Sequence, residues 1–130
     1  GNGGIIYPDL HYGRDALVGV ALFLSLLAER KIAVSTLRAG YPSYFMSKKK
    51  IDLSPSIDVD AILDAMETKY AHEQISTIDG VKIDFLTKWV HLRKSNTEPI
   101  IRIYTEAPSQ DKADVLADKI IEEIKNIAGL

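Results

Sequence analysis

The sequence predicts an α+β fold: an antiparallel sheet with helices packed on one face, preceded by a helical stretch. Three observations carry this. Alternating apolar and polar residues at Val81–Phe85, Trp89–Arg93 and Ile100–Glu106 read as strands with one buried face. Two longer segments, 58–71 and 109–128, repeat apolar residues at helical spacing. From Tyr41 onward the order is strand, helix, four strands, helix, which suits helices layered on one side of a sheet.

Taken in order, Gly1–Gly4 is a glycine-rich turn, and Ile5-Ile6-Tyr7 reads as a short strand ended by Pro8-Asp9. Arg14–Lys31 reads as a helix with Asp15 in its first turn. Leu17, Val20, Ala21, Leu24, Leu27 and Ala28 form one stripe, and Val18, Leu22, Phe23 and Leu26 leave little polar face. A helix apolar nearly all round needs cover on both sides; where some is missing, an apolar patch is exposed. The run Ala16–Ala28 is shorter than the roughly 20 residues of a membrane span, so no membrane is expected as a partner. Ser35–Ala39 is a helical turn closed by Gly40 and stopped by Pro42. The domain boundary is placed there, dividing the chain into 1–40 and 41–130.

Tyr44–Asp52 follows as a strand, and its Lys48-Lys49-Lys50 run alternates faces, as lysines that guard an edge strand do. With a net charge of −2, this argues against a nucleic-acid partner. Asp58 is an N-cap for a helix to about Ala71, whose core stripe is Val59, Ile62, Leu63, Met66 and Tyr70. Glu73–Ile78, Asp79-Gly80 and Val81–Phe85 form a hairpin signal, with Asp-Gly suited to a two-residue type I′ turn. Trp89, His91 and Arg93 share one strand face; Ile101, Ile103 and Thr105 share the buried face of the next. His91 has no Asp, Ser or Cys at a spacing that suggests catalysis. Ser109 caps the last helix, whose stripe runs Ala113, Leu116, Ala117, Ile120, Ile121, Ile124 and Ile127, ending at Gly129.

The candidate functional stretch is Arg93-Lys94-Ser95-Asn96-Thr97-Glu98-Pro99, followed by Arg102. It is a turn between two strands and concentrates donors. Arg93 supplies a planar fork, Ser95 and Thr97 hydroxyls, and Asn96 an amide. Such a turn also aims backbone N–H groups into one concavity. The set suits a phosphate. Read by composition alone, the same residues also suit a polar hairpin turn with a solvated Arg. Arg102 is placed either to reach the same anion or to pair with Glu98 or Glu106.

In order and spacing, Arg-x-Ser-Asn-Thr-Glu-Pro-x-x-Arg followed by Ile103-Tyr104-Thr105-Glu106-Ala107 resembles the phosphate-binding loop of the α-D-phosphohexomutase family. That family comprises phosphoglucomutases, phosphomannomutases and phosphoglucosamine mutases. Asp79-Gly80-Val81-Lys82 and Trp89-Val90-His91-Leu92 resemble the strands before that loop, and Gly1-Asn2-Gly3-Gly4 resembles part of the sugar-recognition loop. The resemblance implies that 1–40 is the C-terminal remnant of the third, sugar-binding domain, with Asn2 a sugar contact. It makes 41–130 the C-terminal phosphate-binding domain. It implies interconversion of hexose 1-phosphate and hexose 6-phosphate through a bisphosphorylated sugar. A phosphoserine serves as donor and Mg²⁺ assists.

The Ser-His-Asn-Pro and Asp-Gly-Asp-x-Asp-Arg motifs that carry the phosphoserine and metal in that family do not occur here. The expectation is therefore a piece of a longer chain, inactive alone, with the metal ligands and remaining domains elsewhere in the same polypeptide. No cysteine occurs, which fits a reducing compartment, and a cytoplasmic location is expected. The competing reading is a non-catalytic anion-binding or protein-interaction module, with Arg14–Lys31 as its docking face.

Overall fold

A computed structural model describes residues 3–130, so Asn2 lies outside the described residues. The chain divides into two compact units, one reaching to Pro42 and the other spanning Ser43–Leu130.

In the first unit, helix α1 spans Ala16–Arg30. Asp15 is its N-cap rather than a first-turn residue: Oδ1 accepts from the Val18 amide at 3.0 Å. Caps of this kind satisfy one of the amides that the first helical turn leaves unpaired. His11 steadies this cap, with Nε2 3.1 Å from Asp15 Oδ2 and Nδ1 accepting from the Gly13 amide at 2.9 Å. Lys31 ends the helix in a left-handed conformation. No residue of α1 is buried, and Leu17 is 80% exposed. The expected strand at Ile5-Ile6-Tyr7 does not form. Only an isolated bridge joins Tyr7 to His11, because no second strand lies alongside among the described residues. Helix α2, Val34–Ala39, follows.

The second unit holds strand β1 (Phe45–Asp52), helix α3 (Val59–Lys69), strands β2 (Gln74–Ser76), β3 (Val81–Asp84), β4 (Trp89–Lys94) and β5 (Ile100–Ala107), and helix α4 (Gln110–Ala128). The five strands form one antiparallel sheet in the order β1-β5-β4-β3-β2. Helix α4 lies across β1 and β5, and α3 packs against β3, β4 and α4. Both bury their stripes in one core with the inward side chains of the sheet: Ile62, Leu63 and Met66 from α3, Leu116, Ile120 and Ile124 from α4, Ile83, Leu92 and Ile103 from the strands. Ile127, expected in the stripe, is instead 39% exposed at the end of α4. Thr105 is polar and fully buried, and its hydroxyl donates to the Ala113 carbonyl at 2.7 Å. That bond offsets a desolvation cost of about 1–3 kcal/mol. The β1 lysines alternate as an edge strand allows. Lys49 turns to the helix side and meets Asp118 at 2.6 Å, while Lys48 and Lys50 face the other way.

The β2–β3 hairpin differs from expectation. Strand β2 ends at Ser76, and the connection is Thr77–Gly80. Gly80 alone in that turn has positive φ, +78°, so the turn is not type I′, which requires two such residues. A Cβ on Gly80 would stand 2.2 Å from the Leu92 carbonyl oxygen. The missing side chain lets the hairpin tip press onto β4, one residue from Arg93. No described helix is long and apolar enough to cross a membrane.

Candidate functional site

The β4–β5 connection is the turn 95–99. It is closed by the Ser95 amide donating to the Ile100 carbonyl at 3.1 Å. Within it the Thr97 amide donates to Ser95 Oγ at 3.4 Å, and the two hydroxyl oxygens lie 3.4 Å apart. This is the local side-chain-to-backbone bonding that Ser and Thr favour in turns. The Ile100 amide donates to the Glu98 carbonyl at 2.8 Å. The Leu53 amide donates to the Pro99 carbonyl at 2.8 Å, tying the turn to the end of β1. Among the described residues, Asn96 makes no hydrogen bond.

Arg93 lies on the outward face of β4, about half exposed, with Nη2 3.0 Å from Asp79 Oδ2. Asp79 sits at the β2–β3 hairpin tip. Its carbonyl oxygen lies 2.5 Å from His91 Nε2, which must donate because a carbonyl only accepts. Lys94 points to the helix side, where Nζ meets both carboxylate oxygens of Asp60 at 2.6 and 2.7 Å. Asp60 stands in the first turn of α3, whose N-cap Asp58 accepts from the Asp60 and Ala61 amides. Arg93, Lys94, Asn96, Asp60, Asp79 and Gly80 border a cleft of about 320 Å³, at the low end of the size range of ligand pockets, about 300–1,000 Å³.

Strand register adds a feature that the turn alone does not show. Arg93 stands directly opposite Arg102 on β5, and Arg102 stands directly opposite Lys50 on β1. Three cations therefore form one cross-strand row. Like charges in this position repel and weaken a sheet. Lys50 is neutralised by Asp52 at 2.9 Å, which, with Glu98 adding, holds its ammonium protonated beyond the usual range. Arg93 has Asp79. Among the described residues Arg102 has no ion pair: Glu106 instead accepts from Trp89 Nε1 at 3.0 Å, and the expected pairings with Glu98 or Glu106 do not form.

The structure thus gathers Arg93 and Asn96 at the cleft, with Ser95 and Thr97 in the same turn but off its lining, and Arg102 across the strand from Arg93. Sequence reasoning missed the two carboxylates, Asp79 and Asp60, that share the cleft. Among the described residues, no three His, Asp or Glu side chains gather to hold a metal ion. A larger hollow of about 570 Å³ lies in the first unit between Gly3, Ile5, Arg14, Gly19 and Phe23. Ile5 occupies the notch over Gly19, where a Cβ would meet Ile5 Cγ1 at 3.0 Å.

Residues 47–123, which take in most of the sheet, helix α3, the Arg93 turn and most of α4, match the family model described as phosphoglucomutase/phosphomannomutase, C-terminal domain. The chain belongs to the phosphoglucomutase/phosphomannomutase family. It is 38% identical over 128 residues to a phosphoglucosamine/phosphogalactosamine mutase of Sulfurisphaera tokodaii, a match covering 97% of this chain and 27% of that protein. A phosphoglucomutase/phosphomannomutase of Thermococcus kodakarensis is 37% identical over 127 residues, covering 94% and 27%. The chain is also similar to the crystal structure of a phosphoglucomutase/phosphomannomutase family protein from Burkholderia thailandensis. The TM-score is 0.67 at 25% identity, covering 96% of this chain and 27% of that one. The chain therefore spans about a quarter of the length of the family members it matches. The α+β architecture expected from the sequence is the one observed.

Proposed function

We propose that this chain is the phosphate-holding C-terminal part of a phosphohexomutase, the whole polypeptide interconverting hexose 1-phosphate and hexose 6-phosphate through a bisphosphorylated intermediate. The observation that carries the reading is the Arg93 turn. A guanidinium, two hydroxyls and the uncommitted amide of Asn96 come from five consecutive residues at one strand end, beside a row of cations of which Arg102 has no counter-charge among the described residues. In this role the chain grips the phosphate that is not reacting. Arg93 offers it two parallel charge-assisted hydrogen bonds, and the turn offers neutral donors. Binding energy on the remote phosphate positions the reacting end of the sugar without supplying a nucleophile. Arg102 contributes charge from one strand away.

The remaining domains of the same polypeptide are proposed to bring the phosphoryl donor and Mg²⁺, to cover the exposed apolar side chains of α1, and to act in the cytoplasm. The first unit is proposed as the end of a sugar-binding domain. The test is direct. The whole polypeptide should convert a hexose 1-phosphate to its 6-phosphate, and the 130-residue chain alone should not. Turnover by the chain alone, or none by the whole polypeptide across glucose, mannose and glucosamine phosphates, would refute the proposal.

A further inference from the structure

The two carboxylates at the cleft are a puzzle for an anion site, and Asp79 is the more telling. Three features fix it beside Arg93. Gly80, in a conformation that side chains rarely adopt, lets the hairpin tip press against the Leu92 carbonyl. His91, also on β4, holds the Asp79 carbonyl at 2.5 Å. The Asp79 carboxylate then meets the Arg93 guanidinium at 3.0 Å. The backbone is tied to the same strand that carries the arginine, so the pairing is built in rather than a chance meeting of long side chains. Asp60 is placed differently: it reaches Lys94 on the helix side and leaves the outward face to Arg93 and Asp79.

We propose that Asp79 is an internal counter-anion of the candidate phosphate cleft: it orients the Arg93 guanidinium between ligands and is exchanged for the phosphate on binding. This rests on the phosphate-holding role proposed above. An exposed ion pair is weak, so a carboxylate can hold the guanidinium in place yet yield to a dianion with three acceptor oxygens. Asp79 remains beside the bound phosphate, because its backbone is pinned, and repels it. The cleft therefore grips phosphate less tightly than Arg93 alone would allow, and takes its guanidinium back on release. A mutase whose bisphosphorylated sugar must let go with one end and rebind with the other gains from such a grip. Asp79 is a positioning residue in this scheme; it need not touch the substrate.

The test is a titration of the 130-residue chain with inorganic phosphate, followed by amide NMR shifts, for the wild type, Asp79→Asn, Asp79→Ser and Arg93→Ala. Asn and Asp serve alike in turns and are close in size, so Asp79→Asn keeps the turn. Asp79→Asn should bind phosphate about three- to tenfold more tightly than the wild type at low salt, with the gain shrinking at high salt. Asp79→Ser should do the same, and serves if the Asn amide substitutes for the carboxylate or the first variant unfolds. If both Asp79 variants bind as the wild type or more weakly while Arg93→Ala is weakened, the counter-anion role fails and the phosphate site stands. If the wild type shows no response around residues 93–97, the phosphate site itself fails, and this inference with it.

Discussion

Arg93→Ala in the whole mutase is the substitution whose size can be worked out best. The variant loses hydrogen bonds to a charged ligand, worth about 1.5–3 kcal/mol together. It also loses the pair with Asp79 in the ligand-free protein, an exposed ion pair worth about 0.2–1 kcal/mol. The affinity change is the difference, since binding exchanges one partner for the other. The net loss is about 0.5–2.8 kcal/mol, or about 2- to 110-fold in kcat/KM for a hexose 1-phosphate. Lys94 does not compensate, because it points to the helix side and is held by Asp60. Folding stability should change by less than about 1 kcal/mol, because Arg93 is half exposed and outside the core. Steady-state kinetics beside a thermal melt checks both numbers. Unchanged kcat/KM would remove Arg93 from the site. A variant that unfolds would instead make the turn a structural element.

Ser95→Ala and Thr97→Ala should each reduce kcat/KM by less than Arg93→Ala, about three- to tenfold, since neutral donors contribute about 0.5–1.5 kcal/mol. Ser95→Ala should also loosen the turn, because Ser95 Oγ accepts from the Thr97 amide, and a small drop in melting temperature would show it. Gly80→Ala should destabilise the second unit by about 1–3 kcal/mol in denaturant titration, from its positive φ and the contact with the Leu92 carbonyl. Tyr70 is buried and donates to Glu123 Oε2 at 2.9 Å; burial first, then this bond and the nearby negative charge, push its pKa well above the ordinary 10.0. The unfolded chain releases that proton first, so above pH 10.0 the native state binds more protons than the unfolded state. The resulting stability should be present below pH 10.0 and fall above it by up to about 1.4 kcal/mol per pH unit. Tyr70→Phe should remove that dependence from alkaline melts; an unchanged slope would contradict it.

Most of the second unit was legible because local signals and tertiary packing agree. The alternation in β4 and β5 and the caps Asp58 and Ser109 each depend on residues close in sequence. The hairpin was misread because Asp79-Gly80 has the composition of a two-residue turn, whereas β2 stops at Ser76 and leaves four residues to connect. Asp15 has the composition of a first-turn acid, but its extended backbone and the Val18 amide donating to its Oδ1 make it the N-cap, one position earlier. In the candidate site, Arg93, Ser95, Asn96 and Thr97 are consecutive enough to be read as a set. The row Lys50–Arg102–Arg93 was not readable, since it depends on the register of β1 against β5, strands about fifty residues apart in sequence. The Asp79–Arg93 pair was hidden for the same reason: each residue has an ordinary local role, and only the sheet brings them together.

The central claim is that the turn after β4 binds a phosphate, and the amide NMR titration of this chain with inorganic phosphate tests it most directly. Binding should move the amide signals of Ser95, Asn96 and Thr97 and the Arg93 side-chain Nε–H together, with one dissociation constant that weakens as salt rises. Sulfate should compete, and chloride at equal ionic strength should not reproduce the shifts. Signals that stay in place at 93–97, or that move only along the exposed lysines of β1 with no saturation, would contradict the claim.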